Sequence, residues 1–405
     1  MKRRSQKQGF PPIPQQKEQM RSTKTRIPPV VLLGLYSSVG MAQTPLAPVT
    51  TPIPSSPPPA LPNCGPNPAL RLTFAGDVYV GKRSQPILEA GAKLAESLTP
   101  VVVASDALIA NLEGPITTAT ARAFPDQRFT HRMDPSVTKL LGTWGVRGVT
   151  LANNHSMDFG TQGMTDTKAA LNAAGIHSAG AGNNWIEAEA PMVFEKSGIK
   201  VHVLSFNATF PEAAWAGATT PGVAYPFQSR LRERIQASAK EADYVAVAFH
   251  WGTESERALR DYQPILANMA LDAGAQFVYG HHVHIAQAIK HTERGTVAFG
   301  LGNFVFDSYS HKAGFGLAAV VTICKRSPAA QVTPAGRTPT PQPAVVFVPL
   351  NTNNFVNKFM TRPMTKAEFL KASADYIPQG DFPKETLFWL PTESKISTLS
   401  DWLKP

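Results

Sequence analysis

Three things are scarce in this 405-residue chain: cysteine, long apolar runs and, past the amino terminus, any surplus of charge. There are two cysteines, Cys64 and Cys324. Neither lies close behind an apolar run, which argues against a lipoprotein. The pair fits an oxidising compartment, where one disulfide could staple the first strand region of a domain to its last. The apolar run 27–40 is too short to span a bilayer comfortably. The net charge of +10 misleads, because residues 1–42 carry eight Lys or Arg against one Glu. The rest of the chain holds 31 basic and 28 acidic residues. A basic balance confined to a tail is no evidence for a nucleic-acid groove, and no nucleic-acid partner is expected.

The tail reads as a targeting segment. Met20 to Arg26 is a basic region, residues 27–40 are mostly apolar, and Gly40-Met41-Ala42 offers small residues at a cleavage site. Residues 1–42 are therefore expected to be a signal peptide or an N-terminal anchor, placing the protein outside the cytoplasm, in the periplasm or cell envelope. Membrane contact would be through this segment alone. Arg3-Arg4 invites a twin-arginine reading, but no apolar run follows closely. Residues 43–68 contain ten prolines, so they form an extended linker that cannot pack a core. A folded domain follows over residues 69–325. A second Pro-rich stretch, 326–343, reads as a loop, and 344–405 as a C-terminal extension packing on the domain.

Within the domain, short apolar runs alternate with helical patterns, the mark of an α/β protein. Residues 70–75 are a strand closed by Gly76-Asp77. Asp106 to Gly114 is a strand ending in Asn111 and Glu113. Residues 149–152 lead into Asn153-Asn154-His155, with Asp158 and a helix from about Thr161. Residues 245–249 end in His250-Trp251-Gly252, and Phe277-Val278-Tyr279 in Gly280-His281-His282-Val283-His284. Residues 297–301 read as one more strand, ending in Gly302-Asn303 and running to Asp307. Asp77, Glu113, Asn154 with His155, His250, and His282 with His284 thus stand at five strand ends. In α/β folds such ends converge on one cleft.

A single histidine at a strand end is more often only a hydrogen-bonding residue, and Asp77 alone a turn former. The coincidence of five clusters is what points to chemistry. Mixed nitrogen and oxygen donors suit Mn, Fe or Zn better than Ca. Two such ions, roughly 3.5–4 Å apart, can clamp a phosphoryl oxygen and generate hydroxide. Asp158 and Asp307 read as caps or as groups that orient ligands. Trp251 and Phe304 read as core. Arg132 and Lys325 could meet an anionic substrate.

The ordered set Gly76-Asp77, Asn111-Leu112-Glu113, Asn153-Asn154-His155 with Asp158-x-Gly160, His250-Trp251-Gly252-x-Glu254, Gly280-His281-His282-x-His284 and Leu301-Gly302-Asn303-Phe304 resembles the CapA-type poly-γ-glutamate capsule-synthesis proteins. The resemblance runs from about Leu70 to Val321. That family is similar to the calcineurin-like metallophosphoesterases, and it implies a four-layer α/β/β/α sandwich with two divalent metal ions between the sheets. By resemblance, Asp77 and His284 ligate the first metal, Glu113 bridges, and Asn154, His250 and His282 hold the second. His155 is the general acid, with Asp158 beside it, and His281 is ambiguous. Tyr79 stands where the phosphoesterases have a ligand histidine, and Glu113 is one methylene longer than their usual Asp. The resemblance implies metal-assisted hydrolysis, or transfer, at an anionic polymer or phosphoester, with the envelope's polymer-synthesis machinery as possible partner. The alternative is a non-catalytic envelope factor that binds or guides an anionic polymer during export.

Overall fold

The computed structural model describes residues 64, 69–90, 97, 98, 101, 105–325, 343–393 and 395–404. The expected export segment lies outside them, as do nearly all of the linker and of the Pro-rich loop. Among the described residues no helix is long and apolar enough to cross a membrane.

Alternation along the strands builds the architecture. In Ala69–Tyr79, Leu70, Leu72 and Phe74 face one core while Ala75 and Val78 belong to another. Neighbouring Ala107–Leu112 sends Ala107 and Ile109 to the first and Leu108, Ala110 and Leu112 to the second. A strand whose two faces are both apolar must be covered on both sides. Here helices cover one side and a second sheet the other. Helices Val137–Thr143 and Gly160–Ala173 bring Leu141, Met164 and Leu171 onto the outer face. Val201, Val203, Tyr244, Ala246, Phe277 and Tyr279 of the second sheet fill the inner core. The other face of that sheet, with Val245, Val247 and Val278, packs under Leu231, Ile235 and Leu266 of helices Gln228–Glu241 and Tyr262–Asp272. The result is a four-layer α/β/β/α sandwich.

The larger sheet has ten strands. Its path runs Lys395–Thr398, Leu387–Leu390, Ala344–Asn351, Phe315–Cys324, Ala69–Tyr79, Ala107–Leu112, Val146–Thr150 and His177–Ala179, with Asn303–Phe306 pairing Ala69–Tyr79 and Arg362–Pro363 pairing Ala344–Asn351. The six-stranded sheet runs Ile289–Thr292, Gly295–Ala298, Phe277–His281, Tyr244–His250, Ile199–Asn207 and Met192–Lys196. Ala69–Tyr79, Ala107–Leu112 and Val146–Thr150 are mutually parallel, as are Tyr244–His250 and Phe277–His281. Parallel pairing is what gathers the carboxyl ends of these strands on one edge. Between the two sheets Phe74 packs with ring centroids 5.1 Å from Phe277 and 4.9 Å from Tyr279.

Two details depart from the sequence reading. Residues 297–301 are not one strand. Gly295–Ala298 belongs to the smaller sheet and Asn303–Phe306 to the larger. The chain changes sheets through Gly302, at φ +70°, a backbone region open to glycine. It passes so close to Gly76 that a Cβ there would lie 1.9 Å from the Gly302 carbonyl oxygen. The C-terminal residues, expected as an extension packing on the domain, are also part of its sheet and core. They supply strands of the larger sheet, and Phe369, Phe382 and Phe388 enter the inner core.

Cys64 and Cys324 are joined, with Cα atoms 5.4 Å apart and a sequence separation of 260. Cys324 pairs with Ala69 at the start of the central strand, so the bridge fastens the chain entering the domain to the sheet. Closing so long a loop restricts the unfolded chain strongly. Cys64→Ser with Cys324→Ser should lower unfolding free energy by about 2–5 kcal/mol, seen as an earlier urea midpoint that reduced wild type reproduces.

Candidate metal centre

The converging strand ends bury two carboxylates. Asp77 and Glu113 are 0% and 1% exposed. Asn111 Nδ2 donates to Asp77 Oδ1 at 2.9 Å and reaches Glu113 Oε2 at 3.5 Å. Thr150 Oγ1 and Asn153 Nδ2 each donate to Asn111 Oδ1 at 3.2 Å. Three adjacent strand ends are thereby locked around one amide. Asn153 also donates to the Leu112 carbonyl at 2.8 Å and accepts from the His155 N–H at 3.1 Å. It shapes the turn and leaves Asn154 to face the site. Asn154 Oδ1 lies 2.7 Å from His250 Nε2.

The second sheet contributes the histidines. His250 ends one strand and His281 its neighbour, in register with each other. His282 and His284 follow at φ +86° and +60°, left-handed conformations that cost a non-glycine residue roughly 1–3 kcal/mol each. In exchange, the His282 N–H donates to Asp77 Oδ2 at 3.3 Å, and His284 Nδ1 lies 3.1 Å from the same oxygen and 3.0 Å from Asn303 Oδ1. His284 Nε2 is 3.8 Å and His250 Nε2 3.9 Å from Glu113 Oε1.

Two donor groups result, each with ligand atoms within 4.8 Å of one another: Asp77, Glu113 and His284, and Glu113, His250 and His282. Glu113 is common to both. Buried His282 Nδ1 has no hydrogen-bond partner, a cost that a bound ion would remove. The mixed nitrogen and oxygen donors are compatible with divalent metal binding. His281, ambiguous in the sequence, is fully buried with Nδ1 2.9 Å from Asp77 Oδ1, on the opposite carboxylate oxygen from His284.

Burial sets opposed electrostatics. It pushes the Asp77 carboxyl upward, but His281 and His284 outweigh it and hold Asp77 well below the usual range. At Glu113 burial prevails and raises the carboxyl well above its ordinary value. Burial, then His282, depresses His250, and burial takes His282 down to about 3. Burial also pulls on His284, yet Glu113 and Asp77 overcome it and raise this imidazole to about 9.

Beside the donor groups stands the His155–Asp158 pair, Nδ1 to Oδ2 at 2.8 Å. Burial lowers His155 to about 3 and raises Asp158 to about 7. The sequence reading missed His131. Its ring stacks between Tyr79 and His155 at centroid distances of 4.0 and 3.7 Å, and its Nδ1 meets the Glu113 carbonyl at 2.9 Å. With Glu113 and His155 it forms a third donor group. It sits in a loop with no apolar periodicity, marked only by the aromatic and basic run Phe129-Thr130-His131-Arg132. Asp307 is no ligand: it accepts from the Arg83 and Ser84 N–H groups and pairs with Arg83 Nε at 2.9 Å. Lys325 lies at the far end of the sheet, near Gly198, and cannot meet a substrate here.

The model of the family described as "Bacterial capsule synthesis protein PGA_cap" matches residues 71–308. The chain belongs to this family. Two named proteins are similar to part of it. One is the "PGA biosynthesis protein CapA" of Bacillus subtilis (strain 168), 32% identical over 59% of this chain and 63% of that protein. Another is the "Capsule biosynthesis protein CapA" of Bacillus anthracis, 29% identical over 60% of this chain and 61% of that one. The chain thus spans less than two thirds of the length of these relatives. Solved structures that align with it include a phosphatase from Mycoplasma pneumoniae, with TM-score 0.41, 16% identity and coverage of 64% and 89% of the two chains. The calcineurin-like phosphoesterase YfkN of Bacillus subtilis aligns with TM-score 0.39, 14% identity and coverage of 64% and 87%.

The raised His284 has a sign that can be checked. The folded protein holds this proton more tightly than an unfolded histidine, which titrates near 6.5. The ion pairs therefore stabilise metal-free protein fully below about pH 6.5, and that contribution is lost as pH rises through about 9. Denaturation of metal-free samples across this range should show His284→Gln less stable than wild type at the acid end, with the gap closing toward pH 9.

Proposed function

We propose that this protein is an exported, metal-dependent hydrolase or transferase of the cell envelope, acting on an anionic polymer or phosphoester in capsule biosynthesis. The observation that carries this reading is the pair of donor groups sharing Glu113, set beside the His155–Asp158 pair. Asp77, Glu113 and His284 would hold one divalent ion, and Glu113, His250, His282 and Asn154 a second. Such ions supply Lewis acidity and a nucleophile from water at neutral pH.

The chain's own groups do the rest. Asn111, Thr150 and Asn153 fix the carboxylates in place, so little reorganisation is needed when charge develops. His155 commits Nδ1 to Asp158, which leaves Nε2 for a leaving group. In the buried site its proton affinity is low, and an anionic substrate alongside raises it. Asp158 steadies the imidazolium that then forms. His131 holds the His155 ring by stacking and screens it from water.

Tyr79, standing where the phosphoesterases have a ligand histidine, favours a second reading: a non-catalytic factor that binds an anionic polymer in the same cleft. Two measurements separate them. Protein purified without chelator or His tag should carry one or two Mn, Fe or Zn per chain, lost in His250→Ala with His284→Ala. His155→Ala should keep that metal while kcat on phosphodiester or γ-glutamyl substrates falls about 10²–10⁴-fold. A well-folded wild type that takes up neither Mn nor Zn sinks the hydrolase and leaves the binding factor.

A further inference from the structure

Residues 351–359 invert the usual division between inside and outside. Asn351, Thr352 and Asn354 are buried, while Phe355 and Val356 are 49% and 65% exposed. The buried polar groups hold the turn. Asn354 Nδ2 donates to the Phe306 and Ser308 carbonyls at 2.7 and 2.6 Å, and Thr352 Oγ1 to the Ala313 carbonyl at 2.7 Å. Asn353 Oδ1 accepts from the Phe355 N–H at 3.1 Å, and Asn357 Nδ2 returns to the Asn351 carbonyl at 2.8 Å. Lys358 and Phe359 then take left-handed backbone, at φ +51° and +66°, a conformation that persists where the surroundings impose it. Phe359 ends in the core, and Phe355 and Val356 stay outside.

A second segment, residues 308–314, completes the patch. Tyr309 is 44% exposed, with its ring 5.1 Å from Phe355 and 5.2 Å from Phe359. His311 stacks on Phe355 at 4.2 Å. Single apolar side chains on a surface mean little, but contiguous ones mark a contact. Their neighbours are cations. Lys312 and Lys358 are exposed, and the Arg83 guanidinium lies 5.4 Å over the Tyr309 ring. Neither 308–314 nor 352–361 contains Asp or Glu. Asp307, just before them, is buried and paired with Arg83.

We propose that this patch is an interfacial contact with an anionic lipid surface. Tyr309, Phe355 and Val356 enter the headgroup layer, and Lys312 and Lys358 meet its charge. Aromatic rings and lysines settle at that boundary, and each lysine near an anionic surface strengthens binding about fivefold. A protein partner fits less well, because stable protein interfaces take about 800 Å² from each side, more than these few side chains present. A bilayer needs only an apolar face flanked by cations. The contact is additional to the one expected of residues 1–42, and it fixes an orientation that a tether alone does not. Arg83 also lines a cleft of about 570 Å³ with Tyr79 and Asp307, so docking brings that cleft to the headgroups.

The test uses the full chain. Its two cysteines are joined to each other and none is free, so Val356→Cys carries a thiol-reactive dye at one place. Ile265→Cys is the control, exposed on helix Tyr262–Asp272 of the opposite outer layer. Vesicles contain phosphatidylglycerol and phosphatidylcholine in equal parts, with a quencher on the acyl chains. Dye at position 356 should be quenched and dye at position 265 should not, even where the N-terminal segment holds both proteins on the vesicle. Lys312→Gln with Lys358→Gln should weaken the contact at position 356 about tenfold to thirtyfold, and added salt should weaken it too. Phe355→Ser should also weaken it, at an unchanged melting temperature. Equal quenching at both positions overturns the proposal, as does none at position 356 on vesicles that carry the protein. Undiminished quenching on pure phosphatidylcholine overturns it as well. So does a second copy as occupant, seen as a dimer in sedimentation without vesicles that Phe355→Ser abolishes. None of these readings needs turnover, so a failure of the hydrolase reading and a failure of this contact are distinguished.

Discussion

Two buried carboxyl groups govern this structure. Asp77 and Glu113 end adjacent parallel strands, and a carboxylate removed from water costs several kcal/mol unless its surroundings answer it. The larger sheet offers one amide, Asn111, for both. The remaining partners come from the other sheet, through His250, His281, the His282 N–H and His284. The two layers must meet at this edge and in this register. That need accounts for the tolerated left-handed backbone at His282 and His284, and for the tight passage of Gly302 past Gly76, which brings Asn303 to His284. Apolar packing between the sheets supplies most of the stability, but it would accept small slips that the carboxylates do not.

Much of this was legible in the sequence because each chemical residue directly follows an apolar run. A run of four or five β-branched and aliphatic residues fixes a strand, and polar residues just past it must lie at its end. Where that coupling fails, reading fails. His131 belongs to a loop whose conformation comes from contacts with Asp158 and the Glu113 carbonyl, residues 18 to 27 positions away in sequence. Nothing local announces them. In sequence, Asn303–Phe306 reads as following on from the run before it, because the apolar residues on either side of Gly302 look continuous. Only the change of sheet makes them two. Asn153 and Asn154 are identical in type, and the alternation of the turn alone decides that the first builds the loop and the second faces His250. The strands 387–390 and 395–398 went unread beyond Cys324, since Trp389 and Leu390 are flanked by Pro and charged residues that resemble surface chain.

The loop 117–132 and the His155–Asp158 turn behave as one object. Asp158 receives a backbone N–H through its carbonyl and another through its carboxylate from the loop, and meets His155 as well. A substitution in the loop will therefore alter the orientation of His155 before it alters any metal donor. Changes at Asn111 act first on the two carboxyl groups its amide holds.

The order of strands in the larger sheet has a consequence for how the chain is made. Ala69–Tyr79, at its centre, pairs on one side with Ala107–Leu112 and on the other with Phe315–Cys324. As the polypeptide emerges from a ribosome or a translocation pore, the first partner arrives early and the second only after most of the domain. Until then the central strand presents an open edge, ready to pair with any extended segment nearby. Contacts so distant in sequence also make for slow folding. The central sheet of the nascent domain thus stays unfinished until residues beyond 315 are released.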